Sequence, residues 1–249
     1  MRAMDVGRSL ISIKSNGSLV TPERLTELKA LGLDIVTISL DSGIPGEHDA
    51  FRGMKGAWEK AVRAVKLCQE AGVGVMLACT VSRENAGGAG VEKLIELARE
   101  WDVLLLLILA APSGNWQGRH DLLMTEAQMD WLRATLRKRS HVRTDFDANW
   151  VRPGCGAMKE ILYISQYGDV MACPFIQVSF GNVLREPLEV IWNRGIRAPY
   201  FRDYAGKCLI GEDPEFIRQY SRAIAAEKEL PVSLEKFESA DSAPYTANR

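Results

Sequence analysis

Three of the five cysteines in this sequence stand apart by their surroundings. Cys155, Cys173 and Cys208 lie in glycine-rich or polar settings, in the runs Gly-Cys-Gly-Ala, Ala-Cys-Pro-Phe and Gly-Lys-Cys-Leu. Cys68 instead falls in the apolar stripe of a helical pattern, and Cys79 closes the strand-like run Val73 to Cys79. A cysteine among apolar neighbours behaves as a small inert hydrophobe, whereas thiols in turn-rich, polar segments are candidates for metal ligation. Between Cys155 and Cys173, Ile161, Tyr163, Val170 and Ala172 alternate with other residues on either side of Tyr167-Gly168-Asp169. That is strand periodicity around a tight turn, with Gly168 free to take the positive φ a hairpin loop demands. The expectation is a β-hairpin with two thiolates at its base, joined by Cys208 from farther along. Zinc and an iron–sulfur cluster both accept such thiolates.

A second set of polar residues falls where strands should end. Ser15 and Asn16 follow the first strand-like segment, Ser39 and Asp41 lie on the second, Thr80 and Ser82 close the third, and Ser113 to Trp116 follow the fourth. In a parallel sheet, ligands bind beyond the carboxyl ends of the strands. Ser39 and Asp41, two apart on a strand, should share a face. A hydroxyl beside a carboxylate suits a ribose or an amino group, although Asp41 could equally cap the next turn. Arg52, in the loop beyond, has the fork that grips a carboxylate, or forms a surface ion pair. His48 is nearest this rim, while His120 and His141 sit in polar loops. No grouping suggests a nucleophilic triad or a phosphate loop.

These residues must be held by a repeated strand–helix unit. Leu10 to Lys14 reads as a strand, Thr21 with Pro22 opens a helix carrying Leu25, Leu28 and Leu31, and Asp34 to Asp41 is a second strand, apolar enough to be buried in a parallel sheet. After a loop over 42–56 come a helix from Ala57 to about Ala71, a strand from Val73 to Thr80, a helix with Val91, Leu94, Ile95 and Ala98 on one face, and a strand from Val103 to Leu109. Thr125 and Gln128 form a capping box for the next helix. Strands separated by single helices mean right-handed crossovers and a parallel sheet, either doubly wound or part of a barrel. The composition shifts after Phe146, placing a domain boundary near residue 148. A short helix begins at Pro187, and the segment from 231 to 249 reads as a loose tail.

With 47% hydrophobic and 25% charged residues, the 249-residue chain has the composition of a globular protein. A formal net charge of −1 gives no electrostatic case for nucleic acid or an anionic membrane. The apolar run from Val103 to Ala111 is too short to span a bilayer. An odd number of cysteines without a secretory leader points to a reducing compartment, the cytoplasm by default.

Together these motifs resemble the radical S-adenosylmethionine enzymes that carry a C-terminal SPASM or twitch domain. Ser-Asn-Gly-Ser-Leu-Val-Thr-Pro-Glu (15–23) looks like the third strand and following loop of that family's partial barrel. Residues 37–58 look like its fourth strand, with Ser39-Leu40-Asp41 and the downstream pattern His48-Asp49-x-x-Arg52-Gly53. Residues 155–192 look like the auxiliary domain: a cysteine, a hairpin, Gly168-x4-Cys173-Pro-Phe, then Gly-Asn-Val and a helix ending Ile-Trp-Asn.

The resemblance implies an α/β fold, a partial (β/α) TIM-like barrel fragment followed by a small α+β domain containing a β-hairpin. It implies domains over 1–148 and 149–230. Ser39 would meet the cofactor's ribose or amino-acid end, Arg52 its carboxylate, and Asn16 and Asp41 would line the same site. Cys155, Cys173 and Cys208 would ligate an auxiliary 4Fe-4S cluster, with the fourth iron open or held by Glu212 or Asp213. The substrate would be a small molecule or peptide, the loop Ser113 to Asp121 with Trp116 and Arg119 either bordering it or only linking to the next helix, and electrons would come from a reductant protein. The family's C-x3-C-x2-C loop and its glycine-rich motif have no counterpart in these residues. The chain should therefore bind S-adenosylmethionine weakly and not generate the radical alone, whether as a fragment, a misassigned start or a degenerate relative. A non-catalytic binding protein on this scaffold and a structural zinc module are the alternatives.

Overall fold

The structure, a computed structural model, describes residues 5–145, 154–225 and 227–240. It forms two compact units. The first runs to Asp145 except for Ala110–Leu123, which belongs with the second. The boundary expected near residue 148 lies outside the described residues.

The first unit contains β1 (Ser12–Ser15), α1 (Pro22–Ala30), β2 (Ile35–Ser39), α2 (Pro45–Arg52), α3 (Ala57–Glu70), β3 (Gly74–Val81), α4 (Ala89–Glu100), β4 (Leu104–Leu109), α5 (Glu126–Lys138) and β5 (Val142–Thr144). All strand pairs are parallel, in the sequential order β1-β2-β3-β4-β5. Right-handed crossovers in sequential order carry every helix to one face, the winding of a barrel rather than of a doubly wound sheet. Side-chain burial agrees. The register aligns Ile38, Leu77, Leu105 and Val142 in one lateral row, each 0% exposed. The next row, Ser39, Ala78, Leu106 and Arg143, points to the other, more open face.

Two elements of this unit differ from expectation. Residues 45–52, expected as loop, form α2: Pro45 supplies its first turn, and Gly53 ends it in the left-handed conformation. The glycine and proline that read as loop markers are this helix's start and stop signals. A fifth strand, β5, follows α5, too short at three residues to show a period.

The second unit contains β6 (Tyr163–Ile164), β7 (Asp169–Met171), β8 (Val178–Asn182), α6 (Leu188–Gly195), α7 (Pro199–Arg202), α8 (Leu209–Glu212), α9 (Pro214–Ala225), β9 (Val232–Ser233) and α10 (Leu234–Ser239). β6 and β7 form the expected hairpin, turning at Gly168 with φ 88°. β8 adds antiparallel to β7, and β9 adds parallel to β8. The expected tail therefore begins later than residue 231. Val232 and Phe237 are 3% and 1% exposed, because this segment carries an apolar face that completes an aromatic core. In that core Phe216 meets Tyr200 edge-on at 4.9 Å, Phe237 at 5.5 Å and Phe201 edge-on at 6.1 Å. Among the described residues no helix is long and apolar enough to cross a membrane.

Phe216 is fully enclosed, so Phe216→Ala should destabilise the second unit by roughly 3–5 kcal/mol through lost burial and a cavity. Leu184→Ala, at a side chain 80% exposed, should change stability by less than about 0.5 kcal/mol. Urea midpoints followed by near-ultraviolet circular dichroism separate the two outcomes.

Candidate functional site

At the carboxyl end of β2, Asp41 is buried at 3% exposure. A carboxylate so enclosed requires several donors. Arg52 Nε donates to Oδ2 at 2.7 Å, and the Thr80 N–H donates to Oδ1 at 3.2 Å. Arg52 comes from the last turn of α2, and His48 lies one turn earlier on the same helix face, the i, i+4 relation. His48 is 1% exposed, and its Nδ1 accepts the Asp41 N–H at 3.0 Å. The same nitrogen lies 3.4 Å from Asp41 Oδ2. A nitrogen that accepts an amide proton has none of its own to give, so His48 is held as the Nε2–H tautomer and grips the backbone rather than forming an ion pair. Asp49, beside His48, accepts from the Gly56 N–H at 2.6 Å and the Trp58 N–H at 2.9 Å. Those amides, Trp58 first, hold its carboxyl below the usual range, and they tie α2 to the start of α3.

The pattern His-Asp-x-x-Arg-Gly thus has a physical reading. Two of its side chains clamp Asp41, the third joins two helices, and the glycine stops the first. With Nε committed to Asp41, the two terminal nitrogens of Arg52 meet no acceptor among the described residues. That leaves the bidentate fork available for a carboxylate. Ser39 ends β2 on the open face. Asn16, exposed just past β1, accepts from the Ser18 N–H at 3.0 Å and the Ser18 hydroxyl at 2.8 Å, a local turn that leaves its amide nitrogen outward. Asp41 itself, expected to line the site beside Ser39, reaches it through Arg52.

Sequence reasoning missed Asp145, just past β5. Its Oδ1 is sealed from solvent without a hydrogen-bond partner. Burial pushes its carboxyl up to about 7, against the pull of its own and the Leu109 amides and of Lys14. The residue type signalled nothing, because the strand placing it was too short to read.

In the second unit none of the three singled-out cysteines is in a disulfide. Cys155 forms a β-bridge with Ala205, its N–H donating to the Ala205 carbonyl at 2.7 Å. A Cβ on Gly154, whose φ is 134°, would run into that same carbonyl, so only glycine admits the approach. The bridge brings Cys155 to the segment that continues to Cys208. Cys208 sits at the start of α8, where its Sγ accepts the Gly211 N–H at 3.2 Å. Cys173 follows β7, and Tyr220 on α9 spans the loop beyond it, accepting from the Gln177 N–H and donating to the Phe175 carbonyl, each at 3.3 Å.

Glu212 and Asp213, the candidate fourth ligands, already have structural work. Glu212 Oε2 accepts the Cys208 N–H at 3.0 Å. Asp213 Oδ1 caps α9, accepting from the Glu215 and Phe216 amides at 3.0 Å each. Among the described residues no group of three or more His, Cys, Asp or Glu side chains is gathered tightly enough for a single metal ion. The donor chemistry, three cysteines outside any disulfide in one unit, fits a thiolate-ligated cluster, a group larger than one ion. Cys68 and Cys79 differ, as burial pushes Cys68 up to about 11 and Cys79 well above the usual thiol range. The loop with Trp116 and Arg119 belongs to the second unit, and Arg119 is paired with Asp121 at 2.7 Å.

Comparison with known proteins agrees with both halves. The model of the radical SAM superfamily matches residues 5–88, and the SPASM model, an iron–sulfur cluster-binding domain, matches residues 155–210. The chain is similar to an AdoMet-dependent heme synthase of Nitratidesulfovibrio vulgaris, 29% identical over 228 residues, covering 78% of this chain and 61% of that protein. It is also similar to the mycofactocin maturase MftC of Mycobacterium tuberculosis, 30% identical over 268 residues, covering 89% of this chain and 67% of that protein. The solved structure of anSMEcpe with bound AdoMet and Kp18Cys peptide shares the fold, with a TM-score of 0.55 at 16% identity over 85% of this chain and 60% of that one. The chain spans between three-fifths and two-thirds of the length of these curated relatives.

Asp145 gives this site a pH signature. Its ordinary value is 3.8 and its folded value about 7, so between these the folded chain keeps a proton that the unfolded chain has lost. Stability from this group should fall as pH rises through that window and level off above it. Urea midpoints from about pH 4 to 8 should show this slope in the natural chain and a flatter one in Asp145→Asn.

Proposed function

This chain belongs to the radical SAM superfamily, and on that premise we propose that its first unit holds the amino-acid end of S-adenosylmethionine and its second unit an auxiliary 4Fe-4S cluster. The cluster reading rests on one observation above the rest: three cysteines of a single unit, none of them in a disulfide, one drawn by the Ala205 bridge toward the segment of another. Cys155, Cys173 and Cys208 would be the ligands. With Glu212 and Asp213 committed to capping, the fourth iron would be left for substrate or another donor.

In the first unit Asp41 positions Arg52, whose free fork would take the cofactor's carboxylate, while Ser39 and Asn16 offer hydrogen bonds on the same rim. His48 would keep Asp41 in register. S-adenosylmethionine, once reduced by one electron, supplies the 5′-deoxyadenosyl radical that abstracts hydrogen from substrate. The protein's own part is to orient the cofactor and hold the substrate. Radical formation needs the C-x3-C-x2-C thiolates, which these 249 residues do not contain, so in this reading the activity belongs to a form or partner that supplies them. A peptide or small-molecule substrate is proposed, in keeping with the peptide bound by anSMEcpe, together with an external reductant.

Anaerobic reconstitution with iron and sulfide tests the cluster. About four irons per chain with broad absorbance near 400 nm are expected, and loss of both in Cys173→Ser. One tightly held zinc with no iron uptake would reject it. Titration calorimetry with S-adenosylmethionine tests the other unit. Arg52→Lys keeps the charge but loses the fork and the Asp41 bond, and should weaken binding about tenfold or more.

A further inference from the structure

The open face of the first unit's sheet carries a feature that cofactor binding does not use. Thr144 pairs with Leu107 on the helix-covered side, 5% exposed. Alternation turns Arg143 to the other side, the face that also carries Ser39, and Asp145 follows just past the end of β5, near enough to Lys14 for that charge to act on its carboxyl. Lys14 shares that face from the other edge of the sheet, since it pairs with Thr37, two residues before Ser39. Asp145 thus stands at the carboxyl end of the strands, where parallel sheets bind their ligands.

Its surroundings ask for a partner. A sealed carboxyl oxygen without a hydrogen bond is rare in a folded protein, and at such a position it marks a place for something to bind. The charged groups on this face decide what that is. Lys14 is a cation whose charge acts on the Asp145 carboxyl, and Asp41, at the end of β2, is already offset by Arg52. An amine would be repelled by Lys14. A carboxylate would be attracted by it and could share the Asp145 proton that burial retains.

We propose that Asp145 and Lys14 together bind a carboxylate on the substrate, one by a hydrogen bond through Oδ1 and the other by charge. The inference rests on reading this face as the substrate face, and it names the class of group recognised there.

The test uses the full chain with carboxyl-labelled aspartate, with Asp145 assigned through Asp145→Asn. Its titration is followed by carbon NMR in about 100 mM acetate, methylammonium chloride or sodium chloride. A bound carboxylate stabilises the protonated form, so acetate should raise the midpoint by about half a pH unit over sodium chloride. The rise should vanish in Lys14→Met, a change at an exposed side chain. Methylammonium should leave the midpoint where it was. The proposal is overturned if methylammonium lowers the midpoint, if acetate leaves it unmoved, or if Lys14→Met keeps the full rise. The measurement needs neither iron nor S-adenosylmethionine, so its failure would leave the cluster and cofactor reading standing, and theirs would leave it standing.

Discussion

An ionised carboxylate can be enclosed at the end of a strand only if donors reach it from several directions. Asp41 imposes that constraint on the first unit. Its three partners come from two pieces of chain: the Arg52 guanidinium and His48, which secures the Asp41 backbone, from α2, and the Thr80 amide from the neighbouring strand. Two of these exist only because residues 45–52 are helical, which stacks His48 and Arg52 on one face. α2 is a single short helix without a side-chain cap at its start, so intrinsic propensity is a weak reason for it to form. Its tertiary anchors, on Asp41 at one side and through Asp49 on α3 at the other, supply the rest.

In the second unit the same logic works through backbone geometry. The cysteines come from segments with little regular structure, and each is fixed by a contact that is not a strand ladder. The Ala205 bridge holds Cys155, the α8 turn holds Cys208, and the Tyr220 phenol braces the loop after Cys173. Behind them stands the aromatic core, whose members come from β8, α7, α9 and α10. A core assembled from distant segments gives short, irregular loops a rigid base, which a cluster site with few ligands needs.

Much of this was legible in the residues. The alternation of apolar strands and helices gave the parallel sheet, and Tyr167-Gly168-Asp169 gave the hairpin turn. The expected strand from Leu10 to Lys14 starts two residues later and ends one residue later, at Ser12 and Ser15, which is the usual slack of a boundary. The failures share a cause. Where an element is stabilised mainly by tertiary contact, local pattern is silent or misleading. The glycine and proline around α2 read as loop, β5 is too short to show a period, and β9 with α10 has only two deeply buried apolar side chains, Val232 and Phe237, to announce it. Setting singles out the three cysteines as candidates, but the pairing of Cys155 with Ala205 is not legible, because a single β-bridge across fifty residues leaves no trace in spacing.

The acidic residues show how partner inventory separates structure from chemistry. Asp49 accepts from two amides, Asp213 from two more, Glu212 from one, and Asp41 from a guanidinium and an amide. In each case the donors are local or come from the neighbouring strand or helix, so the carboxylate's charge is spent on shape. Glu212 and Asp213 looked like ligands because they follow Cys208 closely, yet that closeness is what lets one fold back on the Cys208 amide and the other cap the helix behind it. Sequence distance from a thiol therefore says less than how many donors a carboxylate already has. By that measure Asp145, far in sequence from any cysteine, keeps one buried oxygen without a hydrogen-bond partner among the described residues.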